Sequence, residues 1–381
     1  MNILVVAAHG LYEDYAASFV HNQLKSYVKA GHRVRAVVPV ALGKKTDEFE
    51  RISAPIVRTE HDGVEILYLR CLSLGSRGEN SFNPWAAELA LRLQACRILE
   101  DFKPDIIHAH GILFGGRLGA VLKKSCKVPL VITTHGGDTR LAVEEKFRER
   151  AAKICSAASA VAAVSDACRR LVESLNSCSR TLCILNGFNF ENLRSLPKKR
   201  HSIAQVCVLR PDKHTELSIM AVSKLRGKYP DIRLTIVGDG EERNKLEKLV
   251  REKKLEDIIS FKGWLPNDKA MEEMAESEFF LMPSIREGFG IVYLEAMASG
   301  CVTIGTENEG IASLIRHGEN GFLAAPMDVE GIVNIIEYCF ENPEEARHIA
   351  DAGRTSALSL TWEKNAAEYT ELFNDVLSNN K

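Results

Sequence analysis

Short runs of β-branched and aliphatic residues alternate with longer segments that carry apolar side chains at helical spacing. The alternation continues along almost all of the 381 residues. Each short run is typical of a strand buried on both faces, and each longer segment is typical of a helix that covers a sheet. The pattern therefore predicts an α/β protein with parallel sheets covered by helices on both faces.

The rhythm pauses once, near the middle of the chain. Residues 196–201 read Leu-Pro-Lys-Lys-Arg-His, a basic stretch interrupted by proline that indicates a linker. A chain of this length suits two domains of roughly 180 residues each. We predict a first domain over residues 1–190, a linker over 191–203, a second domain over 204–360 and a helix over 361–381. That helix packs on its own domain or returns to the first, and the sequence leaves both open.

The predicted elements follow from the same alternation. In the first domain the strands are Ile3–Ala7, Val34–Pro39, Asp105–His108, Leu130–Thr134, Ala160–Val164 and Thr181–Leu185, and the helices include Tyr15–Ala30, Trp85–Glu100, Arg117–Lys124 and Asp166–Leu175. The second domain begins with strand Ala204–Leu209 and continues through strands near 232–237, 258–261, 279–282 and 302–304. Because the strands are parallel, a ligand is expected at their carboxyl ends.

Charge and cysteine content exclude several classes of protein. The formal net charge is −2, so no global basic field attracts nucleic acid. The ten cysteines are scattered without metal-site spacing, which indicates a reducing compartment. The first residues lead directly into a strand, and no apolar stretch approaches the ~18 residues of a membrane span. These features predict a cytoplasmic protein.

The most informative segment is Pro-Ser-Ile-Arg-Glu-Gly-Phe-Gly at 283–290, between a predicted strand and a helix that starts near Gly290. Gly288 and Gly290 allow the backbone to approach a ligand, and the helix N-terminus suits a phosphate. Glu287 and Glu295 lie up to ~12 Å apart along the helix, too far for a glycosidase pair. They suit the two ends of an extended ligand; the alternative is two ordinary helix glutamates.

This segment, continued by Glu295-Ala296-Met297-Ala298-Ser299-Gly300, resembles the E-x7-E signature of family 4 glycosyltransferases. Further matching motifs follow in the family's order: Asp105–Gly111, Thr134–Asp138, Val164-Ser165, Asn186-Gly187, Val237–Gly240, Gly263–Leu265 and Gly318–Gly321. The resemblance implies the GT-B fold, in which two doubly wound Rossmann-like domains face each other across a cleft. It also implies a retaining enzyme that needs no metal, with an acceptor-binding first domain and a donor-binding second domain.

The resemblance assigns roles in donor binding. Glu287 would bind sugar hydroxyls, Glu295 the ribose, and Lys213 the diphosphate. Backbone groups would complete the site, namely Gly288, Phe289, Gly290 and Ile291 for the sugar and distal phosphate, and Gly263 and Trp264 for the base. A nucleotide-diphosphate sugar is thus the expected co-substrate, with UDP favoured over GDP, and no cofactor is expected.

The family arginine that accompanies the lysine is replaced in this chain. Val208 stands at its position, after Cys207 in place of a glycine, and Arg210 follows two residues later. If Val208 lies in a strand, Arg210 points to the same side and reaches the same phosphate. The alternative is an ordinary surface charge. A second departure is the segment after the first strand, residues 9–20, which has one glycine where many relatives have several.

Histidines contribute to the expected acceptor side. His135 matches the family histidine near the anomeric carbon, and Asp138 closes the same motif. His135, Glu287 and Lys213 are therefore the expected catalytic residues. His108 and His110 form an H-x-H pair without a third ligand at suitable spacing, which favours structural roles over zinc binding.

Catalysis would consist of positioning and electrostatics. Lys213, Arg210 and the helix N-terminus would stabilise the leaving diphosphate, and no D-x-D motif stands where a metal would otherwise hold it. The resemblance suggests a saccharide or lipid-linked saccharide acceptor, as in the synthesis of cell-surface polysaccharides or glycolipids. Two predicted helices carry lysines that allow weak contact with the inner membrane face, namely Lys25 and Lys29 on one and Lys123, Lys124 and Lys127 on the other. Such runs of lysine more often mark a solvated surface.

Three other functions fit part of the sequence. A noncatalytic nucleotide-sugar-binding subunit is favoured by Val208 and opposed by Glu287, Lys213 and His135. A nucleotide-sugar epimerase of similar architecture would exchange sugars without an acceptor. A dinucleotide-dependent oxidoreductase is set aside, because Gly238-Asp239-Gly240 is followed by Arg243 where the fingerprint needs its third glycine.

Overall fold

The computed structural model describes residues 1–7, 18–41, 55–71, 84–191 and 193–379. The chain divides into two compact units, each with its own central sheet. Unit 1 comprises Met1–Val164, Cys168–Gly187 and Trp362–Lys381, and unit 2 comprises Ser165–Ala167 and Phe188–Thr361. The predicted α/β class with Rossmann-like topology is confirmed in both units.

Unit 1 contains a sheet of spatial order β3-β4-β2-β1-β5-β6-β7-β8. Its strands are Asn2–Val6 (β1), Arg33–Ala41 (β2), Ile56–His61 (β3), Val64–Cys71 (β4), Ile106–His110 (β5), Leu130–Thr134 (β6), Ala160–Ala163 (β7) and Thr181–Cys183 (β8). Its first helices are Ser18–Lys29 (α1), Pro84–Leu99 (α2), Arg117–Cys126 (α3), Gly137–Val143 (α4), Glu145–Ala157 (α5) and Asp166–Glu173 (α6), with a π-helical turn at Gly111–Gly116. The central strands are buried on both faces, as their continuous apolar runs predict.

The edge of this sheet differs from the all-parallel prediction. Strands β3 and β4 pair antiparallel, whereas the other described strand pairs of unit 1 are parallel. Asp62 and Gly63 connect them with φ angles of 51° and 76°, and two positive φ angles match a type I′ hairpin turn. The Asp-Gly pair was the sequence signal for this hairpin.

Unit 2 contains a sheet of order β11-β10-β9-β12-β13-β14, in which every described pair is parallel. Its strands are Lys199–Val206 (β9), Arg233–Val237 (β10), Ile259–Gly263 (β11), Ser277–Leu281 (β12), Val302–Thr306 (β13) and Phe322–Ala324 (β14). Its helices are Thr215–Leu225 (α7), Arg243–Glu252 (α8), Asn267–Glu276 (α9), Ile291–Ala298 (α10), Val329–Glu341 (α11) and Pro343–Leu358 (α12). This order is that of a doubly wound nucleotide-binding sheet.

The first strand of unit 2 starts earlier than predicted. β9 begins at Lys199, inside the stretch 191–203 that the sequence marks as a linker. The polar start of the strand has acidic partners: Lys199 pairs with Glu276, and the His201 amide donates to Glu278 at 2.7 Å. Polarity here reflects paired charges at a strand end rather than an irregular connection.

The final helix, Trp362–Ser378 (α13), packs on unit 1. Asn365 accepts a hydrogen bond of 2.7 Å from the Gln23 amide, and the Tyr369 hydroxyl lies 2.7 Å from Thr133 Oγ1. Tyr369 and Phe373 are buried in the same cluster as β1 and β2. Of the two packings that the sequence leaves open, the structure has the return to the first unit.

Candidate functional site

In unit 2 a tight turn joins β12 to α10. Gly290 caps α10 with a φ of 78°. A Cβ at this position would lie 2.7 Å from Tyr293 Cδ2 and 3.1 Å from Glu287 Cγ. The Tyr293 ring is buried, and its hydroxyl donates to the Met282 carbonyl at 2.6 Å, so the ring is held in place. Glycine therefore allows the tight turn that leads into α10. The first backbone amides of α10 have no acceptor within the helix.

Lys213 and Glu287 lie together at this turn. Lys213 ends a 3-10 turn at Pro211–Lys213, and its Nζ contacts Glu287 Oε2. The same carboxylate accepts a bond of 3.3 Å from Ser284 Oγ, and the Glu287 amide donates to Glu309 Oε2 at 2.9 Å. The two side chains are only 13% and 16% exposed. A cation and a carboxylate are thus adjacent in a partly desolvated site, where each interaction is stronger than in water.

Val208 and Arg210 both lie beyond the end of β9. β9 ends at Val206, so Val208 is outside the strand, and its side chain is 57% exposed. Arg210 instead binds both oxygens of Asp212, at 3.0 and 2.8 Å, and this contact raises the pKa of its guanidinium. The condition that Val208 lies in a strand is therefore not met, and replacement of the family arginine by Arg210 stays a prediction beside the alternative of an ordinary surface charge.

The glycine pair Gly238 and Gly240 has a packing role. The segment after β9 runs beside it, with the Cys207 amide bonded to the Val237 carbonyl and the Leu209 amide to the Asp239 carbonyl. A Cβ at Gly238 would lie 1.9 Å from the Cys207 carbonyl oxygen. This close backbone approach explains the two glycines without a dinucleotide.

Glu295 and the loop after β11 form the other predicted part of the donor site. Glu295 accepts a bond of 3.1 Å from the Asn267 amide, and burial raises the pKa of its carboxyl. Gly263 has a φ of 69°, and the following Trp264 side chain is 68% exposed. Asn267 was not foreseen, because an isolated asparagine beside a proline carries no motif.

In unit 1 the structure brings His135 and Asp138 together after β6. Asp138 Oδ1 accepts from the His135 amide at 2.7 Å, and its Oδ2 accepts from Thr134 Oγ1 at 2.7 Å and from the Ile112 amide at 3.0 Å. One carboxylate thereby ties the turn after β6 to the turn after β5. Asp138 thus has a positioning role beside His135.

His110 is a partner of His135 that sequence reasoning missed. Its Nδ1 lies 3.0 Å from His135 Nε2, and the two rings are nearly parallel with centroids 5.2 Å apart. Burial lowers the pKa of both imidazoles. Within the part of the chain that the structure describes, His110 Nε2 and His135 Nδ1 have no hydrogen-bond partner. The H-x-H pattern was the available signal, because residues 108 and 110 share one face of β5.

His108 has structural partners on both ring nitrogens. Its Nε2 lies 2.7 Å from Thr133 Oγ1 and its Nδ1 lies 3.4 Å from the Tyr27 hydroxyl. Burial lowers the pKa of His108 to about 3. Across the described ranges no group of three or more His, Cys, Asp or Glu side chains is placed to hold a metal. Of the predicted segment 9–20, residues 9–17 lie outside the described residues.

Two family models match consecutive parts of the chain. Residues 16–192 match the model "Glycosyltransferase Family 4", and residues 189–356 match "Glycosyl transferases group 1". Among curated proteins, the N-acetyl-alpha-D-glucosaminyl L-malate synthase of Bacillus anthracis is 26% identical over 77% of this chain and 81% of that protein. The sulfoquinovosyl transferase of Arabidopsis thaliana is 27% identical over 81% of this chain and 64% of that protein.

Solved structures agree on the fold. The sucrose-phosphate synthase of Thermosynechococcus elongatus superposes with a TM-score of 0.78 at 18% identity, covering 100% of both chains. HepE of Anabaena, solved in complex with UDP, superposes with a TM-score of 0.77 at 20% identity, covering 98% of this chain and 100% of that one. The fold is therefore GT-B. The motif order, the topology of both units and the two family models lead to one conclusion: this chain belongs to the family 4 glycosyltransferases and is a sugar-transferring enzyme.

Proposed function

We propose that this enzyme is a retaining hexosyltransferase that takes its sugar from a UDP-sugar bound by unit 2. The observation that carries the proposal is the largely buried pair of Lys213 and Glu287 beside the glycine-capped start of α10. A donor phosphate would attract the Lys213 ammonium, and the released Glu287 carboxylate would accept bonds from sugar hydroxyls. The phosphate would thus replace Glu287 as the partner of Lys213, and the sugar hydroxyls would replace Lys213 as the partner of Glu287.

The rest of the donor would extend along α10. The backbone of Gly288, Phe289, Gly290 and Ile291 would hold the sugar and distal phosphate, Glu295 the ribose, and the loop at Gly263 and Trp264 the base. UDP is favoured because HepE of Anabaena was solved with UDP and with UDP-glucose. Arg210 is bound to Asp212. Most of the charge stabilisation for the leaving diphosphate would therefore come from Lys213 and the amides of α10.

The acceptor would bind unit 1 near His135 and Asp138. Burial lowers the pKa of His135, so its imidazole is neutral near pH 7 and can donate or accept a hydrogen bond. The departing phosphate would take the acceptor proton, without a metal. The acceptor would be a saccharide or lipid-linked saccharide in the synthesis of a cell-surface polysaccharide or glycolipid. Among the described residues no helix has the length and apolar character to cross a bilayer.

Thermal unfolding with UDP, GDP, ADP and CMP tests donor binding. A nucleotide at 100 times its dissociation constant stabilises the folded state by about 2.7 kcal/mol. UDP should stabilise the wild type and the control Glu344→Ala, which removes an exposed carboxylate of α12, but should stabilise Glu295→Ala less. An equal shift in Glu295→Ala would contradict the ribose assignment.

A noncatalytic donor-binding subunit is the second candidate, because Val208 is exposed and Arg210 is bound to Asp212. Release of UDP from UDP-sugars separates the two candidates. A transferase releases UDP with acceptor extracts and slowly with water, whereas a binding subunit shifts the melting temperature without releasing UDP. Conversion of the sugar without any acceptor would indicate an epimerase.

A further inference from the structure

A groove on unit 1 carries an unusual concentration of positive charge. It lies among α2, α3 and α5, has a volume of about 560 Å³, and is lined by seven basic side chains and one acidic side chain. We call it the basic groove. The whole chain has a formal net charge of −2, so the positive field is local to this surface.

Some of these charges are already satisfied within the protein. Arg92 and Arg117 both bind Glu88, at 2.8 and 2.7 Å. Lys123 donates to the Ala157 carbonyl at 2.7 Å, and Lys153 pairs with Glu149 at 2.6 Å. These contacts hold the walls of the groove together. Any external anion would therefore bind the lysines and arginines that have no such contact.

Three basic residues at the groove remain available. Lys124, Lys127 and Arg150 are exposed, and none has an ion-pair partner in the ranges that the structure describes. Lys25 and Lys29, also considered from the sequence, lie 3.7 Å from Asp62 and 3.1 Å from Glu363. Of the two lysine clusters considered from the sequence, the one on α1 is therefore paired with carboxylates, whereas Lys124 and Lys127 at the end of α3 are not.

An apolar stripe runs along α2 beside the groove. Trp85, Leu89 and Leu93 are 68%, 56% and 71% exposed, and their spacing of four residues places them on one face of the helix. The opposite face is buried through Leu91 and Ile98. Trp85 belongs to both features, because it lines the groove and the Arg117 guanidinium lies 4.4 Å from its ring centre. Exposed apolar residues grouped in this way mark an interaction surface.

We propose that the basic groove and the apolar stripe together dock unit 1 on a membrane surface that contains anionic lipids. A soluble anion would need the lysines and arginines but would not use the leucines. A bilayer surface uses both, because lipid phosphates attract the cations while tryptophan and leucine enter the boundary between headgroups and acyl chains. The inference rests on the proposed function only in that a lipid-linked acceptor would give docking its purpose.

Co-sedimentation of the full-length protein with vesicles tests the proposal without any donor. The wild type should bind vesicles of 30% phosphatidylglycerol in phosphatidylcholine and not vesicles of pure phosphatidylcholine. Each basic residue near an anionic surface strengthens binding roughly fivefold. The variant Lys124→Glu/Lys127→Glu/Arg150→Glu should therefore bind more than about 100-fold more weakly.

A matched control separates the groove from total charge. Lys248→Glu/Arg251→Glu/Lys253→Glu changes three exposed basic residues of α8 and its C-terminus in unit 2 by the same charge, and it should bind as the wild type does. Leu89→Ser/Leu93→Ser should weaken binding about tenfold or more with an unchanged melting temperature, because both side chains are exposed.

Four outcomes would overturn the proposal. They are no binding by the wild type, equal binding to neutral vesicles, equal loss in the unit 2 control, and binding of a soluble sulfated oligosaccharide without vesicle binding. The last would identify a soluble polyanion as the occupant. UDP release is measured in a separate assay without lipid, so failure of the proposed donor chemistry would leave the vesicle result unchanged.

Discussion

Gly290→Ala should lower the free energy of unfolding for two reasons, one conformational and one steric. Residue 290 has a φ of 78°, and a side chain in this left-handed conformation costs about 1–2 kcal/mol. The new Cβ would also lie 2.7 Å from the Tyr293 ring, which is buried and held through its hydroxyl. Displacing a well-packed ring costs about 1–3 kcal/mol. We expect a total loss of about 2–5 kcal/mol.

Gly318→Ala is a matched control. Gly318 has a φ of 79°, and nothing lies within 4 Å of the position its Cβ would occupy. It should therefore lose the conformational part alone, about 1–2 kcal/mol. Urea unfolding of both full-length variants measures the difference, with unchanged m-values required for a direct comparison. Equal destabilisation of the two variants would refute the steric argument.

The remaining predictions concern titration and one buried hydrogen bond. Burial raises the pKa of Glu295, so the wild type should lose stability as the pH rises from 4.5 through that raised value. Glu295→Gln should not show this loss. If the free energies of unfolding of the two proteins in urea change in parallel between pH 4 and 8, the prediction is wrong. Burial lowers the pKa of His108 to about 3, so only the unfolded chain binds this proton as the pH falls below 6.5. The free energy of unfolding should therefore fall less steeply with decreasing pH in His108→Gln, by up to about 1.36 kcal/mol per pH unit. An unchanged slope would show that His108 does not cause this loss of stability. Tyr369→Phe removes the hydroxyl beside Thr133 and should cost about 1–2 kcal/mol in urea unfolding while UDP affinity stays the same; a neutral effect would show that this bond is dispensable.

Strands buried on both faces were the most predictable part of the fold. Leu130–Thr134 matches β6 at both ends, because a continuous β-branched run has no other stable place in a parallel sheet. Both hairpin strands, Ile56–His61 and the largely buried Val64–Cys71, were missed, because polar residues interrupt both runs and only the Asp62-Gly63 turn indicated them. Helix α5 was missed for a related reason: six of its 13 residues are charged, and only Ala151, Ile154 and Cys155 are buried.

Side-chain partners in the candidate site were less predictable than the backbone around them. The glycine-punctuated turn at 283–290 was readable, because a strand, two glycines and a helix follow in order. The pairing of His110 with His135 depends on the register of β5 against β6, which no local pattern specifies. The engagement of Arg210 by Asp212 depends on where β9 ends, and element ends are the least certain feature of any sequence reading.

The return of α13 to unit 1 has a consequence for how the protein is made. A ribosome synthesises residues 188–361 of unit 2 before it reaches Tyr369 and Phe373, which fill the core beside β1 and β2. Unit 2 is contiguous apart from three residues, so it can fold during translation, whereas unit 1 must wait for the last helix. Until then its apolar surface under α13 stays uncovered and is open to chaperones. Unit 1 therefore begins to emerge before unit 2 and is completed after it.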